Sequence, residues 1–137
     1  MEQYLQHLAK VPMFSSLGHK ELEEIAKLST ELPVKAGTKL IVEGAAAREF
    51  FVIMSGEAEV EKNGQVIATV GPGEVQGELS LLLDRPRTAN VTAKTDMNIL
   101  VVDRRSFNAL LDDIPTIARK MLPIVAHRLA DVSPDHD

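Results

Sequence analysis

The spacing of apolar residues changes twice along the chain, dividing it into three zones. From Glu2 to about Thr30 the apolar positions recur at helical intervals, Leu5 with Leu8 and then Leu22, Ile25 and Leu28. This predicts two amphipathic helices, parted by Pro12 and the "SSLG" stretch. From Leu32 to Asp103 the apolar runs shorten and glycine punctuates them. Strands are predicted near 39–43 ("KLIVE"), 50–54, 57–61, 65–70, 88–93 and 97–102. Asn63-Gly64 joins two of these runs and is a hairpin signal, because both residues tolerate the positive φ of a type I′ turn. From Arg104 helical spacing returns, through Phe107, Leu110 and Leu111, then Ile117, Met121, Leu122, Val125 and Leu129. Pro115 suits the first turn of the last helix, whereas Pro123 predicts a kink or break within it.

Helices, a β-rich core and helices again form an α+β pattern that is mostly β. Many short strands at this spacing point to a barrel or jelly roll. The expected organisation is a single domain over 1–137: helical over 1–31, a β-roll over 32–103, C-terminal helices over 104–131 and a polar tail over 132–137. The length suits one such core.

Composition narrows the function classes. The net charge of −5 offers no general attraction to nucleic acid or to an anionic membrane, so any anion site must be local. No apolar run approaches the roughly 20 residues of a membrane span, and "MEQYLQHLAK" lacks the pattern of a signal peptide. Cysteine is absent, which removes disulfide and thiolate chemistry and makes the cytoplasm the expected compartment. The four histidines, His7, His19, His127 and His136, all fall outside the β-zone. A cupin-like metal enzyme, which needs imidazoles clustered on strands, is therefore a remote alternative, and no metal ligands are expected. Without Cys, or a His in the β-zone to activate Ser55 or Ser80, no catalytic residues are expected either.

One stretch carries candidate chemistry. "GELSLLLDRPRTANV", residues 77–91, sets Glu78 and Arg87 nine positions apart. "ELSLLL", flanked by turn signals, suits one short helical turn. The backbone N–H groups around Glu78, Leu79 and Ser80 would then be the unpaired donors of a helix start, and Gly77 would permit close approach of an anion. Arg87 carries a planar fork suited to two phosphate oxygens, and Thr88 adds a hydroxyl beside it. Glu78 would accept hydrogen bonds from sugar hydroxyls. The plainer reading is that Glu78 and Arg87 pair with each other, an arrangement worth little at a surface. The residues alone leave both open.

"GPGEVQGELSLLLDRPRTANV" resembles the phosphate-binding cassette of cyclic nucleotide-binding domains, whose pattern runs Gly-Glu-Leu-Ala-Leu, a short spacer, then Pro-Arg-(Ala/Thr/Ser)-Ala. The resemblance extends to "VPMFSSLGHKELEEIA" before it and "VVDRRSFNALLDDIPTIARKML" after it. It implies a double-stranded β-helix (jelly-roll) barrel of about eight strands, flanked by N- and C-terminal helices, with a short helix in the cassette.

By the same resemblance the ligand is a cyclic nucleotide, cAMP before cGMP, and no cofactor is needed. Glu78 would hold the ribose 2′-hydroxyl and Arg87 the cyclic phosphate. Backbone groups around Gly77, Leu79 and Ser80 would add donors, Thr88 would meet the phosphate and the base, and Ala89 would close the wall. Arg119, Leu122 and Arg128 are the candidates for a cap over the base. Thr88 keeps cGMP open, since its hydroxyl suits a guanine amino group.

The implied role is a regulatory domain acting on an unidentified effector through its C-terminal helices, with no nucleic acid bound by this chain and no membrane insertion. A homodimer stays open, although Pro123 counts against a long straight coiled coil. The alternative is a degenerate domain of the same fold that binds a protein and no nucleotide. Gln76, where the family usually carries an aromatic or aliphatic residue, is a departure beside the cassette. With eight residues after Leu129, no recognition helix is expected, and a stand-alone sensor and a fragment remain equally open.

Overall fold

A computed structural model describes residues 2–77, 80 and 83–131, and of 2, 3, 128, 129 and 131 the backbone only. The chain opens with α1 (Glu2–Ala9), a 3-10 turn (Pro12–Phe14) and α2 (His19–Leu28). Eight strands follow: β1 (Thr30–Val34), β2 (Lys39–Ile41), β3 (Glu49–Ser55), β4 (Ala58–Lys62), β5 (Gln65–Val70), β6 (Val75–Gln76), β7 (Asn90–Ala93) and β8 (Met97–Asp103). Then come α3 (Arg104–Asp113) and α4 (Pro115–Asp131).

The strands form two antiparallel four-stranded sheets, in the orders β1-β8-β3-β6 and β2-β7-β4-β5. This is the expected jelly-roll class. Residues of β3 show how the layers stack. "EFFVIM" is buried almost throughout because successive side chains point to opposite faces and both faces are covered. Phe50, Val52 and Met54 join the core beneath the helices, whereas Phe51 and Ile53 join the core between the sheets. β8 divides in the same way, Leu100 and Val102 to the helices and Met97 and Ile99 to the inter-sheet core. The first sheet is therefore the middle layer of three.

Three fully buried phenylalanines clamp the helices onto that sheet. Phe50 of β3 meets Phe107 of α3 edge to face, with centroids 5.4 Å apart, and Phe14 lies 6.1 Å and 6.3 Å from the two. Such pairs add about 0.5–1.5 kcal/mol each beyond their buried area.

Several local expectations differ in detail. The Asn63-Gly64 hairpin forms with φ of 53° and 80°. Two strands lie outside the expected set. β1 contains Pro33 and is mostly exposed, and β6 spans two residues, so neither shows an alternating pattern. Pro115 opens α4 as expected; of the kink or break expected at Pro123, the break does not occur, since α4 runs through it. Arg119, whose carbonyl loses its donor, and Pro123 are both exposed, so water can satisfy the freed group.

α4 rests on the N-terminal helices. Ile117 and Met121 are buried in the core beneath the helices. Glu21 of α2 pins the same segment: it accepts from Lys120 Nζ (2.7 Å), Thr116 Oγ1 (3.1 Å) and the backbone N–H of Gly18 (2.9 Å). The Lys120 hydrogen bond, followed by that from Gly18, holds the Glu21 carboxyl below its ordinary pKa. A lowered folded pKa contributes stability that is full above the unfolded value and fades as pH falls through the folded one. The stability advantage of wild type over Glu21→Gln should therefore hold above about pH 5 and shrink progressively below the ordinary value of 4.5, as read by denaturant titrations at stepped pH. An advantage independent of pH would count against this ionised hub.

Candidate functional site

A cavity of about 490 Å³ opens beside the second sheet. Its walls come from three places. Ile41 of β2 and Val91 of β7 form an apolar floor, and Val60, Lys62 and Ile67 of the β4–β5 hairpin form one side. The other side is the stretch singled out above: Gln76, Gly77, Ser80, Arg87, Thr88 and Ala89. Five of the seven expected ligand-binding residues thus meet at one cavity. Glu78 and Leu79 lie outside the described residues.

Arg87 organises this end. The residue is only 5% exposed, an unusual environment for a permanent charge. Desolvating a guanidinium is costly unless its donors are met. Nη1 donates to the carbonyl of Gly77 (2.8 Å), and Nη2 donates to the carbonyl of Glu49 and stands 3.6 Å from Glu49 Oε1. The backbone of Arg87 is fixed as well: its N–H donates to the carbonyl of Ala45, and its carbonyl accepts from Gly44, both at 2.8 Å. The arginine is held in place by the loop after β2, the start of β3 and the residue after β6.

Gly77 is required by the same geometry. Its φ is +89°, and a Cβ there would fall 2.5 Å from Arg87 Nη1 and 3.2 Å from Ile41 Cδ1. Any side chain would have to displace the guanidinium. Ser80 is buried at 6% exposure, and Ser80 and Leu83 have helical backbone, in keeping with the expected short helix. The turn after it is tied to the C-terminal helices. Asp84, at φ +52°, accepts from Arg104 Nη1 at 2.6 Å, and that bond lowers the Asp84 carboxyl pKa and raises that of Arg104.

The expected pairing of Glu78 with Arg87 involves a residue outside the described set. Among the described residues the carboxylate beside Arg87 is Glu49, which sequence reasoning missed. It lies 38 positions away and reaches the arginine only because β3 borders β6 in the first sheet. Lys62 was missed too: it falls between the predicted strands 57–61 and 65–70, and nothing local marks it as cavity wall. Of the expected cap residues, Arg119 and Leu122 are exposed on α4 and do not line the cavity, and the Arg128 side chain is outside the described set.

A buried arginine beside a left-handed glycine, on the wall of a partly apolar cavity, is chemistry suited to a small anionic ligand. The comparisons with known proteins agree in kind. Residues 31–113 match the model of the cyclic nucleotide-binding domain, and the chain belongs to that family. It is 41% identical over 109 residues to the cAMP-dependent protein kinase regulatory subunit of Yarrowia lipolytica, covering 78% of this chain and 29% of that subunit. The chain thus spans under a third of the length of this curated relative. Its fold matches the N-terminal domain of a Streptomyces coelicolor transcriptional regulator with a TM-score of 0.83 and 30% identity, over 91% of this chain and 93% of the other. It also matches the regulatory domain of Toxoplasma gondii PKA crystallised with cAMP, with a TM-score of 0.77 and 35% identity, over 88% and 48% of the two chains.

Glu49 is 34% exposed, so its carboxylate supports Arg87 at a solvent-screened edge. Glu49→Ala should cost about 1–2 kcal/mol of stability in urea titrations, between the surface and buried limits for an ion pair. A cost indistinguishable from zero would show that the carbonyls alone hold the arginine.

Proposed function

We propose that the domain is a non-catalytic sensor that binds cAMP and passes the binding event to an effector through its C-terminal helices. The observation that carries this reading is the buried Arg87 locked to Gly77 at the cavity wall. A guanidinium already desolvated and oriented can take two oxygens of a cyclic phosphate without further ordering, which is where binding free energy is otherwise lost. Gly77 and Ser80 supply backbone donors at the same end, and the Thr88 hydroxyl and Ala89 complete it. Glu78 takes the ribose 2′-hydroxyl in this reading. The relatives support the nucleotide: one is a cAMP-dependent kinase regulatory subunit and another was crystallised with cAMP.

Signalling follows from two links. The Asp84–Arg104 bond joins the turn after the cassette to the first residue of α3, and α4 is seated on the N-terminal helices by Glu21. A ligand shifts such an arrangement only through contacts that differ between its states. The cassette, gripping the phosphate, pulls on α3 through Asp84, and α4 then leaves or tightens on its seat. Leu122, 67% exposed, has the highest fractional exposure of the large apolar side chains among the described residues and would gain from a new contact.

Calorimetric titration with cAMP should give saturable binding to wild type. Arg87→Ala should weaken it by about 2–5 kcal/mol, or about one and a half to three and a half decades. A wild type that gives no heat and no thermal shift would favour a domain of this fold serving as a protein-interaction module. Hydrogen exchange across residues 116–130 should change on adding cAMP, and equal protection with and without it would defeat signalling through α4.

A further inference from the structure

The cavity is lined by a second cation, on the β4–β5 hairpin and not on the Arg87 segment. Lys62 closes β4, one residue before the hairpin turn, and it is half-buried. Alternation along β4 puts Lys62 on the same face as Val60, and both line the cavity. Opposite them β5 carries a bulge: Val60 pairs with Ala68 and Glu61 with Val66, leaving Ile67 as the extra residue. Bulges re-aim side chains, and Ile67, although 58% exposed, lines the cavity. The hairpin thus offers two aliphatic side chains and one ammonium to whatever lies opposite the phosphate end. Among the described residues Lys62 has neither an ion-pair nor a hydrogen-bond partner, and the described lining contains no carboxylate.

From this we infer that Lys62 reads the base, and that it favours purines carrying a 6-oxo group. The inference rests on the cyclic-nucleotide reading above. With the phosphate at Arg87, the base falls against Val60 and Ile67, which suit a flat apolar face. The methylenes of Lys62 extend that wall and its ammonium reaches the base edge. An ammonium has three donors and no acceptor, so it gains only from acceptors. Guanine and hypoxanthine present O6 and N7 along one edge, two adjacent acceptors. Adenine presents N7 beside the N6 amino donor, which opposes the ammonium. Lys62 therefore narrows the advantage of cAMP over cGMP and cIMP. Its effect is separable from Thr88, because hypoxanthine lacks the 2-amino group that a threonine hydroxyl would meet.

The test is titration of cAMP, cGMP and cIMP into wild type, Lys62→Met and Lys62→Arg, with thermal melts to confirm folding. In wild type, cIMP and cGMP should bind within about tenfold of cAMP. In Lys62→Met the affinity ratios cGMP:cAMP and cIMP:cAMP should both fall about tenfold, about 1.4 kcal/mol, and Lys62→Arg should restore most of each. If all three nucleotides weaken by one factor, Lys62 serves the phosphate or the general field, and the inference is wrong. Unchanged ratios also overturn it, as does a fall confined to cGMP, which would implicate the amino group. Failure of every nucleotide to bind wild type would instead sink the underlying reading of the site.

Discussion

The burial of one positive charge constrains the rest of this structure. Arg87 sits inside the protein, where a guanidinium is tolerated only if its donors are met. Meeting them requires three separate pieces of chain to converge: the loop after β2, the start of β3 and Gly77. Gly77 must keep a left-handed backbone and carry no side chain, or the guanidinium loses its position. The Arg87 side of the cavity is therefore organised by the protein's own backbone. The same energetics explain why such a residue suits a phosphate. An anion adds a second countercharge beside that of Glu49, next to a cation already withdrawn from water.

The layered architecture makes this convergence rigid. β3 is covered on both faces, by helices through Phe50 and by the second sheet through Phe51 and Ile53. A strand packed on both sides cannot slip register without turning each apolar side chain to the wrong layer. Glu49, at the start of β3, inherits that rigidity and presents carbonyl and carboxylate to Arg87 from a fixed place. The C-terminal helices sit on the opposite face of this sheet, through Phe107, Ile117 and Met121. Cassette and helices thus share one stiff layer, with Asp84–Arg104 as an exposed strap between them.

In the proposed function the two sides of the cavity would obtain specificity differently. On the Arg87 side a held fork and backbone would recognise the geometry of a phosphate. On the hairpin side aliphatic surface and one ammonium would distinguish acceptors from donors. The first arrangement suits the part common to every cyclic nucleotide, and the second suits the part that varies.

Much of this was legible in the sequence. The three zones, most of the strands, the Asn63-Gly64 turn and the grouping of Gly77, Ser80, Arg87, Thr88 and Ala89 are local properties, set by periodicity, turn chemistry and the cassette pattern. β1 and β6 were not, because a strand that is exposed or two residues long leaves no alternation to read. At Pro123 a kink or break was expected, and the break did not follow: the cost of a missing donor is small where the freed carbonyl faces water. Glu49 and Lys62 belong to the tertiary structure alone. Glu49 reaches Arg87 only through strand pairing in the first sheet, and Lys62 turns from apparent surface to cavity wall because the β4–β5 hairpin borders the site. The sequence by itself determined which residues carry the chemistry suited to a phosphate. Only the fold decided that Glu49 steadies Arg87 and that Lys62 lines the same cavity, since both depend on segments that meet through long-range sheet pairing.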